Sequence, residues 1–207
     1  MYHFTVPMAL MDFVPVIFFG VTAVLLLRDL YNKMGKAAYS LLAAGSFNVF
    51  TAGFFKALWK LLYAANICDF KALEEMFLPV NSLGLLLVGV GILLMVCQKR
   101  KVGVLSVAPM PFVSGMPFIM MMVLGLGGMC AGLSIVAAKM KKGWVMSLFI
   151  MSFVCAMAMG YISSRDSTQA WVNWAEQSIN TVSQLCLMAG VILLHKAGLK
   201  DWEGAAQ

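Results

Sequence analysis

Six stretches of the chain, at about 8 to 27, 37 to 55, 77 to 97, 116 to 138, 143 to 162 and 178 to 195, run for 18 to 23 residues with one charged side chain, Asp12, among them. A helix rises about 1.5 Å per residue, so each is long enough to cross the roughly 30 Å hydrocarbon core of a bilayer with modest tilt. Backbone groups in hydrocarbon must be satisfied within the segment, and no period-2 barrel pattern is present, so the segments are expected to be helices. Of 207 residues, 62% are hydrophobic and 12% charged. Soluble domains carry about a quarter charged residues, and a chain this apolar cannot hide its surface in one water-soluble core. The expectation is an all-α, polytopic integral membrane bundle of six or seven crossings, forming a single membrane domain over 1–207.

The first run lacks the cationic start and small-residue cleavage site of a secretory signal and is read as a retained helix. The net charge of +6 comes from short Lys and Arg clusters between apolar runs, the pattern that sets membrane orientation rather than one that grips nucleic acid. Cys68, Cys97, Cys130, Cys155 and Cys186 are scattered singly, with no histidine at ligand spacing, so neither a zinc site nor a disulfide framework is expected. Met116 and Met120 share a helical face and thioethers suit Cu(I), but methionines spread through the whole chain are core filler. No metal or cofactor is expected.

The number of crossings turns on 102 to 113, VGVLSVAPMPFV, apolar and Pro-rich but only about 18 Å long as a helix. Six crossings divide the Lys and Arg residues eight against seven, which orients nothing. If 102 to 138 crosses twice, with the turn Ser114 to Pro117 outside, the cytoplasmic side collects Arg28, Lys33, Lys36, Lys99, Arg100, Lys101, Lys139, Lys141, Lys142, Lys196 and Lys200, eleven against four. Seven is therefore favoured, in a plasma membrane, with the N-terminus outside and the C-terminus cytoplasmic. Trp59, Tyr63, Tyr161, Trp171 and Trp174 then form an outer aromatic belt, and Tyr31, Trp144 and Trp202 an inner one.

The segment NSLGLLLVGVGILL from Asn81 has an echo ninety-nine residues on, NTVSQLCLMAGVIL from Asn180, which aligns Ser82 with Thr181 and Gly91 with Gly190. Shifted alignments pair Gly20 with Gly125 and Gly35 with Gly143. Two three-helix repeats follow, about 8–97 and 116–195, joined by a linker at 98–115 and ending in a polar tail at 196–207. With an extra crossing in the linker the repeats are parallel, an arrangement transporters use with the site between repeats. A three-plus-one-plus-three layout with paired asparagines resembles, in architecture, the SWEET-type sugar transporters. The Pro-Gln dipeptide typical of that wider group is absent, Pro15 being followed by Val16, and the chain is assigned to no family.

Polar side chains in hydrocarbon are costly and face the bundle or an aqueous cavity, which makes them the candidates for function. Asn81 and Asn180 lead, with Ser82 and Thr181 beside them. Asn173, Glu176, Asn180 and Gln184 recur at three, four and four, one stripe on a helix that enters the membrane. Asp12, near Pro15, needs a partner, and Lys56 or Lys60 would supply it. For each there is a plainer role: a cap or interhelical glue for the amides, a hydrated interface for Asp12, snorkelling for the lysines. Gly128 and Gly132 would admit a close helix contact.

An enzyme lacks support. The best nucleophile pair, Ser114 with His195, falls a membrane apart in either topology. The expectation is a small transporter or channel for a small polar solute or ion, its path lined by Asn81, Ser82, Asn180, Thr181, Gln184, Glu176 and Asp12. The alternative is a noncatalytic membrane module, such as a sensor, a substrate-binding subunit or an assembly partner. Beyond lipid and solute, the partners in view are a second copy or another membrane subunit.

Overall fold

The computed structural model describes residues 5–97, 115–163 and 170–202. These are 89% helix without strands, and six helices are long and apolar enough to cross a membrane, so the protein is an all-helical membrane protein. The elements are α1 (Val6–Met11), α2 (Phe13–Leu30), α3 (Lys36–Ala64), α4 (Lys71–Glu75), α5 (Phe77–Cys97), α6 (Gly115–Lys139), α7 (Met146–Ser163) and α8 (Ala170–Lys196). The apolar stretch 102–113 and the turn residue Ser114 lie outside the described residues.

Proline sets the two breaks at the starts of the first and third spans. A proline has no N–H for the carbonyl four residues back. Pro15 therefore leaves Met11 without its helical donor, and α1 ends at Met11; Pro79 does the same to Glu75, where α4 ends. The first break puts Asp12 between two helical pieces. At the far end of the chain, α8 stops at Gly198, whose φ of +90° is one that L side chains rarely adopt.

Close contacts fix the directions of the helices. Gly20 lies under Phe50 and Gly53 under Val16, so α2 and α3 are antiparallel. Gly45 meets Gly84 and Val88 while Gly91 meets Ala38 and Leu42, so α3 and α5 are antiparallel too. Then the alternation stops. Gly115 faces Leu78, Gly125 faces Leu85 and Leu86, Gly128 faces Gly89 and Leu93, and Gly132 faces Ile92, so α5 and α6 run parallel. The turn through Lys141 makes α6 and α7 a hairpin, and α7 returns along α8 through Ser152–Ser183 and Phe149–Gly190.

Each long helix packs on its neighbour in the chain, and α8 closes on α2, giving a ring ordered α2, α3, α5, α6, α7, α8. In that order α5 and α8 stand opposite each other, as do α2 and α6, and α3 and α7. The N-termini of α2, α5, α6 and α8 and the C-termini of α3 and α7 share one end of the ring, called here the Asp12 end. The other, the Asp29 end, is filled by Leu26, Leu30, Leu42, Ile92, Met95, Leu133, Val136, Phe149, Leu187, Val191 and Leu194, none more than 2% exposed.

Helix α8 starts at Ala170, earlier than the apolar run at 178, because its first turns are polar yet helical. Of the glycines expected to admit close contact, Gly132 meets the Ile92 side chain and Gly128 meets Leu93, but the tightest approach is Gly89 on Gly125, where a Cβ on either would collide with the other helix's backbone. Gly125 is thus committed to α5, and the glycine on α6 that lies under an α7 phenylalanine, as Gly20 lies under Phe50, is Gly127 beneath Phe153. Gly89→Ala and Gly125→Ala are each expected to destabilise the detergent-solubilised protein by about 1–3 kcal/mol through overpacking. Gly160→Ala, whose Cβ meets nothing within 4 Å, serves as the control. Equal melting temperatures for all three variants would contradict the close parallel contact.

Candidate functional site

On α8 the residues Asn173, Glu176, Gln177, Asn180 and Gln184 share, by helical spacing, the face that continues as Leu187, Val191 and Leu194. That face is polar toward the Asp12 end and apolar toward the Asp29 end. Opposite it on α5 the same division holds. Asn81, 7% exposed, lies on the buried face that goes on as Leu85, Val88, Ile92 and Met95. The ring is therefore polar inside near the Asp12 end and closed by hydrocarbon side chains near the Asp29 end.

Both candidate asparagines belong to helices that start at the Asp12 end. They enter from the same face of the bundle, on opposite sides of the ring, Asn81 buried and Asn180 half-buried. Their hydroxyl neighbours are engaged locally. Ser82 Oγ donates to the Leu78 carbonyl at 2.5 Å, and Thr181 Oγ1 donates to the Gln177 carbonyl at 2.8 Å, each within its own helix. A hydroxyl bonded to its own backbone carries its polar group through an apolar environment at little cost. Buried Ser183 is used differently, donating 2.8 Å across to the Ser152 carbonyl to tie α8 to α7.

The charged residues at this end come from three elements. Asp12, at the break between α1 and α2, meets Lys60 of α3 at 2.7 Å, so of the two lysines one turn apart it is Lys60 that pairs. Lys56 lies 4.0 Å above the Phe77 ring, a cation–π contact with the start of α5. Glu176, in the second turn of α8, lies at the same end of the ring. Beside them, buried Trp59 donates its indole N–H to Asp69 at 3.1 Å and pins the connection after α3.

Several polar atoms here are buried and unmatched. Glu176 Oε1, Gln177 Nε2 and Gln184 Oε1 have less than 1 Å² of exposure each and no hydrogen-bond partner. Native interiors pair nearly all buried polar groups, so three orphans on one helix face call for an explanation. The sequence pattern identified Glu176 and Gln184 through their spacing. Gln177 was missed because it falls one residue off the three-four-four register, on the flank of the same stripe.

A second polar cluster, which no spacing predicted, sits at the Asp29 end. Asp29 is buried, and its Oδ2 accepts from His195 Nδ1 at 2.7 Å, joining α2 to α8. Arg28 Nη2 lies against the imidazole, 2.9 Å from Nε2 and 3.3 Å from Nδ1, while Arg28 Nε lies 3.4 Å from Asp29 Oδ1. His195 is thus held at the end opposite to Gly115, next in the chain to Ser114. His195 and Asp29 are 166 residues apart, and neither carries a local motif.

No family model matches the chain, and neither a curated protein nor a solved structure matches it. Among the described residues no group of three or more His, Cys, Asp or Glu side chains is placed to hold a metal ion.

His195→Ala leaves the buried Asp29 carboxylate without its principal partner and is expected to cost about 2 kcal/mol, read as a lower melting temperature. Adding Asp29→Asn removes the orphaned charge and should recover part of the loss. A double variant whose loss equals the sum of the two single losses would mean that the pair is not coupled.

Proposed function

We propose that the protein is a small transporter that carries a polar solute between two three-helix units, α2–α3–α5 and α6–α7–α8. The observation that carries this is the division of the ring interior: buried, unmatched amide and carboxylate atoms toward one end, and a close-packed apolar plug toward the other. A static interhelical network would pair those atoms, and a solute path opening beside them would supply the partners they lack. Asn81, Asn180, Gln184 and Glu176 line the path. Asp12 is held at its mouth by Lys60, and Ser82 and Thr181 support the wall from within their own helices.

The parallel course of α5 and α6 supports seven crossings: Cys97 and Gly115 stand at opposite ends of the ring, a separation that one more crossing would span. The units then repeat in the same sense. The ninety-nine-residue offset keeps Val88 with Leu187, Ile92 with Val191 and Met95 with Leu194, all buried, and it sets Gly91 against α3 where Gly190 is set against α7. Among the described helices and turns, Arg28, Lys33, Lys36, Lys139, Lys141, Lys142, Lys196 and Lys200 belong to the Asp29 end, and Lys56, Lys60 and Lys71 to the Asp12 end. Eight against three supports a cytoplasmic Asp29 end, in a plasma membrane, with the N-terminus outside.

An impermeant thiol reagent added to intact cells is expected to label native Cys68 and, in a cysteine-free background, Met116→Cys, and to spare native Cys97 and Lys141→Cys. Labelling of Cys97 and Met116→Cys from the same side would refute the seventh crossing. Asn81→Ala and Asn180→Ala are each expected to abolish uptake into proteoliposomes while leaving the melting temperature within a few degrees of wild type. Unchanged flux in both removes the amides from the path. Solute binding without flux in the intact protein would instead mark a noncatalytic membrane module.

A further inference from the structure

Four charged side chains belong to the Asp12 end of the ring: Asp12, Lys56, Lys60 and Glu176. Two of them form an ion pair, Lys60 Nζ lying 2.7 Å from Asp12 Oδ2. The other two do not. Lys56 rests on the face of Phe77, and Glu176 keeps one carboxylate oxygen buried without a donor; among the described residues neither enters an ion pair. Burying a charge without an opposite charge beside it is costly, and here an anion on α8 and a cation on α3 at the same end of the ring each lack one. Along the same face of α8, Gln177 is only 6% exposed and keeps Nε2 without an acceptor, and Gln184 keeps Oε1 without a donor. This end thus offers a cation held only by an aromatic face, a carboxylate oxygen without a donor, an amide donor without an acceptor and an amide acceptor without a donor.

We infer that the passenger is a zwitterion of amino-acid size, its carboxylate received by Lys56, its ammonium by Glu176, and a polar side chain by Gln177 and Gln184. This rests on the transport reading of the same site and narrows it to a substrate class. A simple anion would leave Glu176 unmet, a simple cation would leave Lys56 unmet, and a neutral sugar would leave both. Only a solute carrying both charges answers the two together, and burying both in a site already prepared for them is what makes such a site selective. Asp12 and Lys60, already paired, hold the α1–α2 break against α3 beside the entrance.

The test uses the purified full chain, in detergent for binding and in liposomes for exchange. The probes are radiolabelled glycine, serine and glutamine as zwitterions, with methylamine, acetate, glucose and rubidium as controls. Zwitterions are expected to bind and exchange, and the monofunctional probes to do neither. Glu176→Gln and Lys56→Gln should each weaken zwitterion binding at least tenfold. The charge-swapped double variant, Lys56→Glu with Glu176→Lys, should regain binding that each single reversal loses, which a purely structural role would not produce. Exchange of glucose or rubidium without zwitterions overturns the substrate class and leaves transport standing. Zwitterion binding without exchange upholds the class and overturns transport. A chain that melts cooperatively yet neither binds nor exchanges any probe overturns both.

Discussion

The arrangement depends on one contact, the parallel apposition of α5 and α6. In a bilayer the lipid tails are as apolar as leucine, so helices gain little from the hydrophobic effect and associate through close packing of small residues. Gly89 and Gly125 let two backbones touch where any side chain would hold them apart. Because the two helices are consecutive among the described elements yet point the same way, this contact breaks the up-and-down alternation. It brings the N-termini of α2, α5, α6 and α8 to one end of the ring. Had α6 run antiparallel to α5, the starts of α5 and α8 would lie at opposite ends, and Asn81 and Asn180 with them.

The second organising feature is the change of character along each inward face. On α8 the stripe from Asn173 to Gln184 gives way to Leu187, Val191 and Leu194, and on α5 Asn81 gives way to Val88, Ile92 and Met95. Each helix thus has an inner face that suits water or a polar guest over its first turns and hydrocarbon over its last. Alternation of polar and apolar faces around a helix creates a bundle; the change along these faces divides its interior into a polar part and an apolar part. The cost of keeping amides and carboxylates buried in the first turns is offset only when something polar occupies the space beside them.

Much of this was legible in the sequence because it lives in local pattern. Six long runs nearly free of charge gave six helices, and the three-four-four spacing put Glu176, Asn180 and Gln184 on one face. What was not legible is what depends on which helix meets which. Gly125 and Gly128 look alike in the sequence, and only the register of α6 on α5 makes Gly125 the tightest contact. Lys56 and Lys60 are a turn apart, and the break that Pro15 imposes at Asp12 decides that Lys60 takes the carboxylate. Asp29 reads as one more charge at a helix end, since nothing local tells that a histidine at the other end of the chain closes over it. The apolar run from 178 marks only the hydrophobic part of α8, whose polar first turns carry the helix back to Ala170 where hydropathy alone does not extend it.

The Asp29–His195–Arg28 cluster acquires meaning from the ring order. A closed ring of two units has two seams. One, α5 on α6, is a long dry join of glycine and aliphatic surface. The other, α2 on α8, is the shorter contact, fastened at one end by a carboxylate, an imidazole and a guanidinium. A dry join is stiff because every small displacement loses packing along its whole length. The glycine seam is held by packing along its whole length, whereas the α2–α8 join is held at its end by polar contacts that a single side-chain substitution can undo.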